Sequence, residues 1–285
     1  MSRVATLFLA LGLVLPKPCS AQAAPPPPQF FDSDGVRIRY VVRGAGPPLL
    51  LVHGFAVSIE LNWGGGILDS LASTHTVIAL DLRGHGQSDK PRESESYGVR
   101  FVDDLVNLLD HLQIERADVV GYSLGAAITL KLLTAHPERV RSAVLGAGGW
   151  LVPGERPPPW RVAWLNGLER IGAEGGRVMD VLRQPDWPEL PPEVEAAVNA
   201  NDPNALAAAL GSVAGLAVTE AELRANTVPT IAIVGADDVM VREDVDRMAA
   251  VMARLEMTRI TDANHITALS HPLLLETILG FLRAR

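Results

Sequence analysis

The chain of 285 residues contains one cysteine, Cys19, so no intrachain disulfide can form and stability must come from a packed core. It contains no uninterrupted apolar run of the 18 or more residues that mark a membrane-spanning helix. Basic residues are outnumbered 25 to 33, with no basic stripe and no basic patch interleaved with aromatics, which argues against nucleic acid as a partner. The histidines form no H-E-x-x-H or other metal-ligand spacing, so neither a metal nor any other cofactor is expected. Aromatics make up 5% of the chain, yet four of the five tryptophans fall between residues 150 and 187.

The N-terminus reads as a secretory signal. Arg3 gives a basic start, Val4 to Leu15 is a mostly apolar stretch of 12 residues, and Ala21-Gln22-Ala23 is a small-x-small site. Cleavage after Ala23 would remove Arg3, Lys17 and Cys19, leaving 23 basic against 33 acidic residues and moving the formal charge from −8 to −10. The expectation is a secreted or periplasmic protein with residues 1–23 as signal peptide and no stable membrane anchor. Residues 24–30, with four consecutive prolines from Pro25, form an extended spacer.

Chemistry enters at Gly121-Tyr122-Ser123-Leu124-Gly125, which follows the apolar run Ala117 to Val120 and leads into an apolar helical pattern from Ala126. A serine on so sharp a strand-to-helix turn exposes its hydroxyl at the end of a sheet. That hydroxyl needs a histidine base and a carboxylate to orient the base. Pro229 to Val234 reads as a buried strand ending in Gly235-Ala236-Asp237-Asp238, and Met257 to Thr261 reads as another, followed by Asp262-Ala263-Asn264-His265. Upstream, Leu49 to Val52 runs into His53-Gly54-Phe55. Acyl transfer places negative charge on a carbonyl oxygen, and the backbone N–H groups of Phe55 and Leu124 are the candidates to receive it. Of the other histidines, His53 and His85 read as structural, His75, His111 and His136 as solvent-facing, and His271 as a helix cap.

With Asp81-Leu82-Arg83-Gly84-His85-Gly86-Gln87-Ser88 after the strand Thr76 to Leu80, the chain resembles the α/β-hydrolase superfamily from about Phe31 to the C-terminus. In that family His-Gly, Asp-x-x-Gly-x-Gly-x-Ser and Gly-x-Ser-x-Gly follow the third, fourth and fifth strands, and the chain order Ser, Asp, His agrees. Two positions depart from it: Ala56 stands where many relatives have Pro, and Asn264 where many have Gly. The resemblance implies an α/β fold with a mostly parallel central sheet flanked by helices. It makes 31–149 and 227–285 the core and 150–226 a helical cap inserted over the nucleophile. It also places the triad acid at Asp238 through the pattern Gly235-x-x-Asp238, with Asp237 as the lesser alternative.

Within the insertion, Trp160 to Ile171, Gly176 to Arg183 and Ala205 to Leu216 have helical patterns. Trp150, Trp160, Trp164, Met179 and Trp187 are candidates to line an apolar substrate pocket. The implied activity is hydrolysis of a small carboxylic ester or related acyl compound by Ser123, His265 and Asp238. The same triad serves carbon–carbon bond hydrolysis, lactone hydrolysis and acyl transfer. A ligand-binding protein on the same scaffold is the alternative of a different class.

Overall fold

The computed structural model describes residues 28–285; the expected signal peptide lies outside them, as does most of the proline spacer. The chain opens with β1 (Gln29–Ser33) and β2 (Val36–Arg43), a hairpin turned at Asp34-Gly35, both with positive φ. Gln29 and Phe30, expected in the spacer, belong instead to β1, where they pair with Tyr40 and Arg39. Phe31 fixes that register by packing its ring on Tyr40 and His111.

Next come β3 (Pro48–Val52), α1 (Ile59–Trp63), α2 (Ile67–Ala72) and β4 (Thr76–Leu80), then α3 (Arg100–His111) and β5 (Ala117–Tyr122). They are followed by α4 (Leu124–Ala135) and β6 (Val140–Gly146). The segment from Ala147 to Pro229 carries α5 (Pro159–Glu174), α6 (Val178–Leu182), α7 (Pro192–Asn199), α8 (Pro203–Gly211) and α9 (Glu220–Ala225). The sheet resumes with β7 (Thr230–Gly235), α10 (Arg242–Val251), β8 (Leu255–Ile260), α11 (Thr267–Ser270) and α12 (Pro272–Arg283).

All eight strands form one sheet in the order β1-β2-β4-β3-β5-β6-β7-β8, antiparallel at β1-β2-β4 and parallel from β4 onward. The expected mostly parallel sheet flanked by helices is thus present. Leu49 to Val52, Val77 to Leu80 and every residue of β5 and β7 are buried, as strands covered by helices on both faces must be. In such sheets ligands bind beyond the carboxyl ends of the strands, and here those ends lead into His53, Asp81, Ser123 and the loop carrying Asp238.

The segment between β6 and β7 builds a second hydrophobic cluster, with Trp164, Leu168, Met179 and Leu206 at its centre. It meets the main core through Phe55, Leu124, Leu151 and Met240, which pack against both clusters.

Candidate active site

Ser123 follows β5 directly and starts α4 with φ 54° and ψ −115°. A non-glycine residue there is strained by about 1–3 kcal/mol and persists only when its surroundings impose it. The imposition is steric. A Cβ at Gly121 would lie 2.2 Å from the Gly125 carbonyl oxygen, and one at Gly125 would lie 2.1 Å from that of Val52. The two glycines let α4 press against β3, and the serine is raised out of the turn.

Three side chains from separate strand ends then meet. Ser123 Oγ lies 2.9 Å from His265 Nε2, and His265 Nδ1 lies 2.8 Å from Asp238 Oδ2. With the carboxylate accepting at Nδ1, the imidazole presents Nε2 to the serine hydroxyl. Asp238 is fully buried, and its other oxygen accepts from the Met240 N–H at 3.0 Å. Asp237 is exposed and touches neither partner with its side chain. The Tyr122 hydroxyl donates to the His265 carbonyl at 2.8 Å, tying the histidine loop to the residue before the serine.

The Phe55 and Leu124 N–H groups bond to no other described residue. Phe55 is aimed by its neighbour. His53 accepts from the Leu82 N–H at Nε2 (2.9 Å), so its proton sits on Nδ1 and is donated to the Gly54 carbonyl at 2.7 Å. That carbonyl and the Phe55 N–H belong to one planar trans peptide and point in opposite directions, so holding one orients the other. Asn62 completes the grip by accepting from the Gly54 N–H at 2.9 Å, a role no local sequence signal reveals. Complete burial keeps the His53 imidazole below its ordinary pKa, and burial with the neighbouring His53 lowers His85 to about 3. Both are neutral braces.

The Asp81 segment is a structural knot. Its carboxylate accepts from the Ile59 and Gln87 N–H groups and from Arg39, while Ser88 bonds back to the Asp81 carbonyl. The remaining histidines are peripheral, but His75 is buried beside Thr74 and not solvent-facing, and His111 meets the Tyr40 hydroxyl at 3.2 Å. His271 caps α12 through Leu273 N.

Two cavities flank Ser123. One, of about 320 Å³, is walled by Leu61, Trp164, Met179, Leu182, Trp187 and Val198. The other, of about 100 Å³, runs past Leu124 and Trp160 to Arg161 and Asp244. Phe55, Ser123, Trp164 and His265 line both. Of the five candidate pocket residues, Trp160, Trp164, Met179 and Trp187 thus reach a cavity that contains Ser123. Trp150 does not: its indole N–H is committed to the Val218 carbonyl at 2.7 Å, which holds the ring in a separate outer cleft.

Both departures from the family pattern lie where the inserted segment touches the site. Ala56 has φ 59°, a conformation closed to proline, and its carbonyl accepts from Asn201 Nδ2 at 3.0 Å. Asn264 caps α11 by accepting from the Ile266 and Thr267 N–H groups, and its Nδ2 donates to the Asp186 carbonyl at 2.6 Å.

Residues 47–184 match the family described as alpha/beta hydrolase fold. A 2-hydroxymuconate semialdehyde hydrolase of Pseudomonas sp. (strain CF600) is 31% identical over 261 residues, which cover 86% of this chain and 90% of that protein. Among solved structures, a carboxylesterase of Nitrososphaera gargenis superposes with a TM-score of 0.77 at 23% identity, over 90% of this chain and 98% of its own. Est816, described as an N-acyl homoserine lactone degrading enzyme, superposes with a TM-score of 0.71 at 28% identity, over 89% and 100%.

Proposed function

The chain belongs to the alpha/beta hydrolase family, and from that premise we propose that it is a serine hydrolase cleaving carboxylic esters or related acyl compounds. The observation that carries this reading is the unbroken relay from Asp238 through His265 to the strained Ser123, at 2.8 and 2.9 Å. Ser123 attacks the carbonyl as His265 takes its proton. The Phe55 and Leu124 N–H groups stabilise the oxyanion, and His265 returns the proton to the leaving alcohol. Water, activated by the same histidine, then releases the acid. A pre-steady-state burst of chromophore from short and medium-chain nitrophenyl esters tests this, and a ligand-binding protein on the same scaffold gives none.

A second reading, hydrolysis of a carbon–carbon bond by the same residues, draws support from the Pseudomonas protein that matches most of the chain, since the 2-hydroxymuconate semialdehyde it is named for contains no ester bond. Est816 supports lactone hydrolysis in the same way. Turnover of a graded ester, lactone and dione panel separates the three.

In this proposal the inserted segment acts as a cap that sets substrate length, since Trp164 and Trp187 wall the larger cavity and Trp160 the smaller one. A methylene contact in an apolar pocket is worth about 1–3 kcal/mol. Alanine at Trp160, Trp164 or Trp187 should therefore shift the ratio of kcat/KM between short and long acyl groups by roughly 10- to 200-fold. An unchanged profile with lowered stability would make these three packing residues only.

Export belongs to the same reading. Protein from its native source should begin at Ala24 and fractionate outside the cytoplasm. Amino-terminal sequencing that finds Met1 or Ser2 in the cytosolic fraction overturns it.

A further inference from the structure

Arg161 differs from the other arginines that are at least partly buried. Arg39, Arg43, Arg83, Arg139 and Arg141 each close an ion pair, whereas the Arg161 guanidinium pairs with no described residue. Its nearest acids are committed elsewhere: Asp244 lies 2.6 Å from Arg247, and Glu155 holds the same Arg247 at 2.9 and 3.2 Å. Exposed Arg156 and the Glu243 carboxylate lie further along the outer cleft. Burial outweighs the attraction of Asp244 and Glu155 and lowers the Arg161 pKa, the sign of an under-compensated cation. Arg161 also stands in the first turn of α5, where the positive end of the helix dipole disfavours a cation and favours an anion. Helix stability gives no reason for an arginine at this position.

Its location does. Arg161 lines the smaller cavity that contains Ser123 and His265, and also the outer cleft of about 530 Å³. The larger cavity on the other flank of Ser123 is walled mostly by aliphatic and aromatic side chains and is lined by no aspartate, glutamate, lysine or arginine. Building on the serine-hydrolase reading, we infer that Arg161 receives a carboxylate borne by the substrate. The substrate then has two unlike arms around its scissile carbonyl, an apolar one under Trp187 and an anionic one reaching Arg161. Guanidinium suits this task because its planar donors meet both carboxylate oxygens at once.

Two matched ester pairs test the inference on the full chain. Mono-4-nitrophenyl glutarate is set against 4-nitrophenyl valerate, with the charge on the acyl side. Phenyl butyrate with and without a ring carboxylate places the charge on the leaving group. In Arg161→Gln the charged-to-neutral ratio of kcat/KM should fall by about 10- to 100-fold in one pair, through KM, the worth of a hydrogen bond between charged groups. Arg161→Lys should recover part of that loss. A ratio that moves by less than about 3-fold in both pairs, the worth of an exposed charge pair, overturns the inference.

Binding decides the matter independently of turnover. On a Ser123→Ala background, intrinsic tryptophan fluorescence, with Trp160 and Trp164 lining the cavity, titrated with monomethyl glutarate against methyl valerate and with phenyl butyrate with and without its ring carboxylate, should show in one pair a preference for the acid that Arg161→Gln removes. Equal binding of acid and neutral ester within both pairs sinks the Arg161 assignment and leaves the triad untouched. Failure of the wild type to turn over any ester, lactone or dione sinks the serine-hydrolase reading, and the titration still judges Arg161.

Discussion

Ser123→Ala should fold with an unchanged melting profile and lose roughly 10⁴-fold or more in kcat. In the proposed mechanism the loss is that large because nucleophile, base and acid act as one unit; without the hydroxyl, only substrate binding and the Phe55 and Leu124 N–H groups would remain to assist attack by water. Folding should survive because Ser123 Oγ makes one hydrogen bond, to His265, and caps no helix. Alanine takes the same positive φ no less readily than serine, since the flanking glycines permit the turn. A fluorophosphonate should label Ser123 in the wild type and nothing in the variant. Label on another serine, or activity retained in the variant, would falsify the assignment of the nucleophile.

Asp238→Asn should be almost as damaging, with kcat down about 10⁴-fold near neutral pH. An asparagine keeps the shape but can present an N–H where the carboxylate accepted, so the imidazole turns its proton toward Ser123 and ceases to be a base. Asp237→Asn is the matched control, because the exposed Asp237 carboxylate touches neither His265 nor Ser123. Its effect should stay within the few tenths of a kcal/mol usual for surface substitutions, about 2-fold. A larger loss at position 237 than at 238 reverses the choice of acid.

The sheet and the residues of the relay are legible because each rests on a short local pattern. A buried parallel strand is an unbroken apolar run, and the residues after it carry the chemistry, so Ser123 and His265 follow from strand ends, whereas the strand end at Gly235 leaves Asp237 and Asp238 open and the family pattern Gly235-x-x-Asp238 chooses between them. Legibility failed where a residue acts across the chain. Asn62 grips the Gly54 peptide eight residues away and Arg161 faces a cavity whose lining runs from Phe55 to His265 in the chain, and neither belongs to a motif.

In the insertion the errors have local causes. The expected helices leave out residues 192–199, yet proline at the first helical position pre-sets φ, and α7 begins at Pro192. The short α9 was missed although Thr219-Glu220-Ala221-Glu222 is a capping box visible in the sequence. The helix expected across Ala205 to Leu216 instead ends at Gly211, and a 3₁₀ turn takes over from Val213.

The hydrogen bonds from Asn201 to Ala56 and from Asn264 to Asp186 have a bearing on how such proteins can be recombined. One ties the insertion to the loop of Phe55, the other to the loop of His265. A chimera that takes residues 150–226 from a relative while keeping this core replaces the Asn201 donor and rebuilds the backbone that offers Asn264 its acceptor at Asp186, even if every pocket residue is transplanted faithfully. Restoring function to such a graft then calls for exchanging positions 56 and 264 along with it. The modular unit of exchange is the insertion together with these two distant single residues, and not the contiguous stretch of chain.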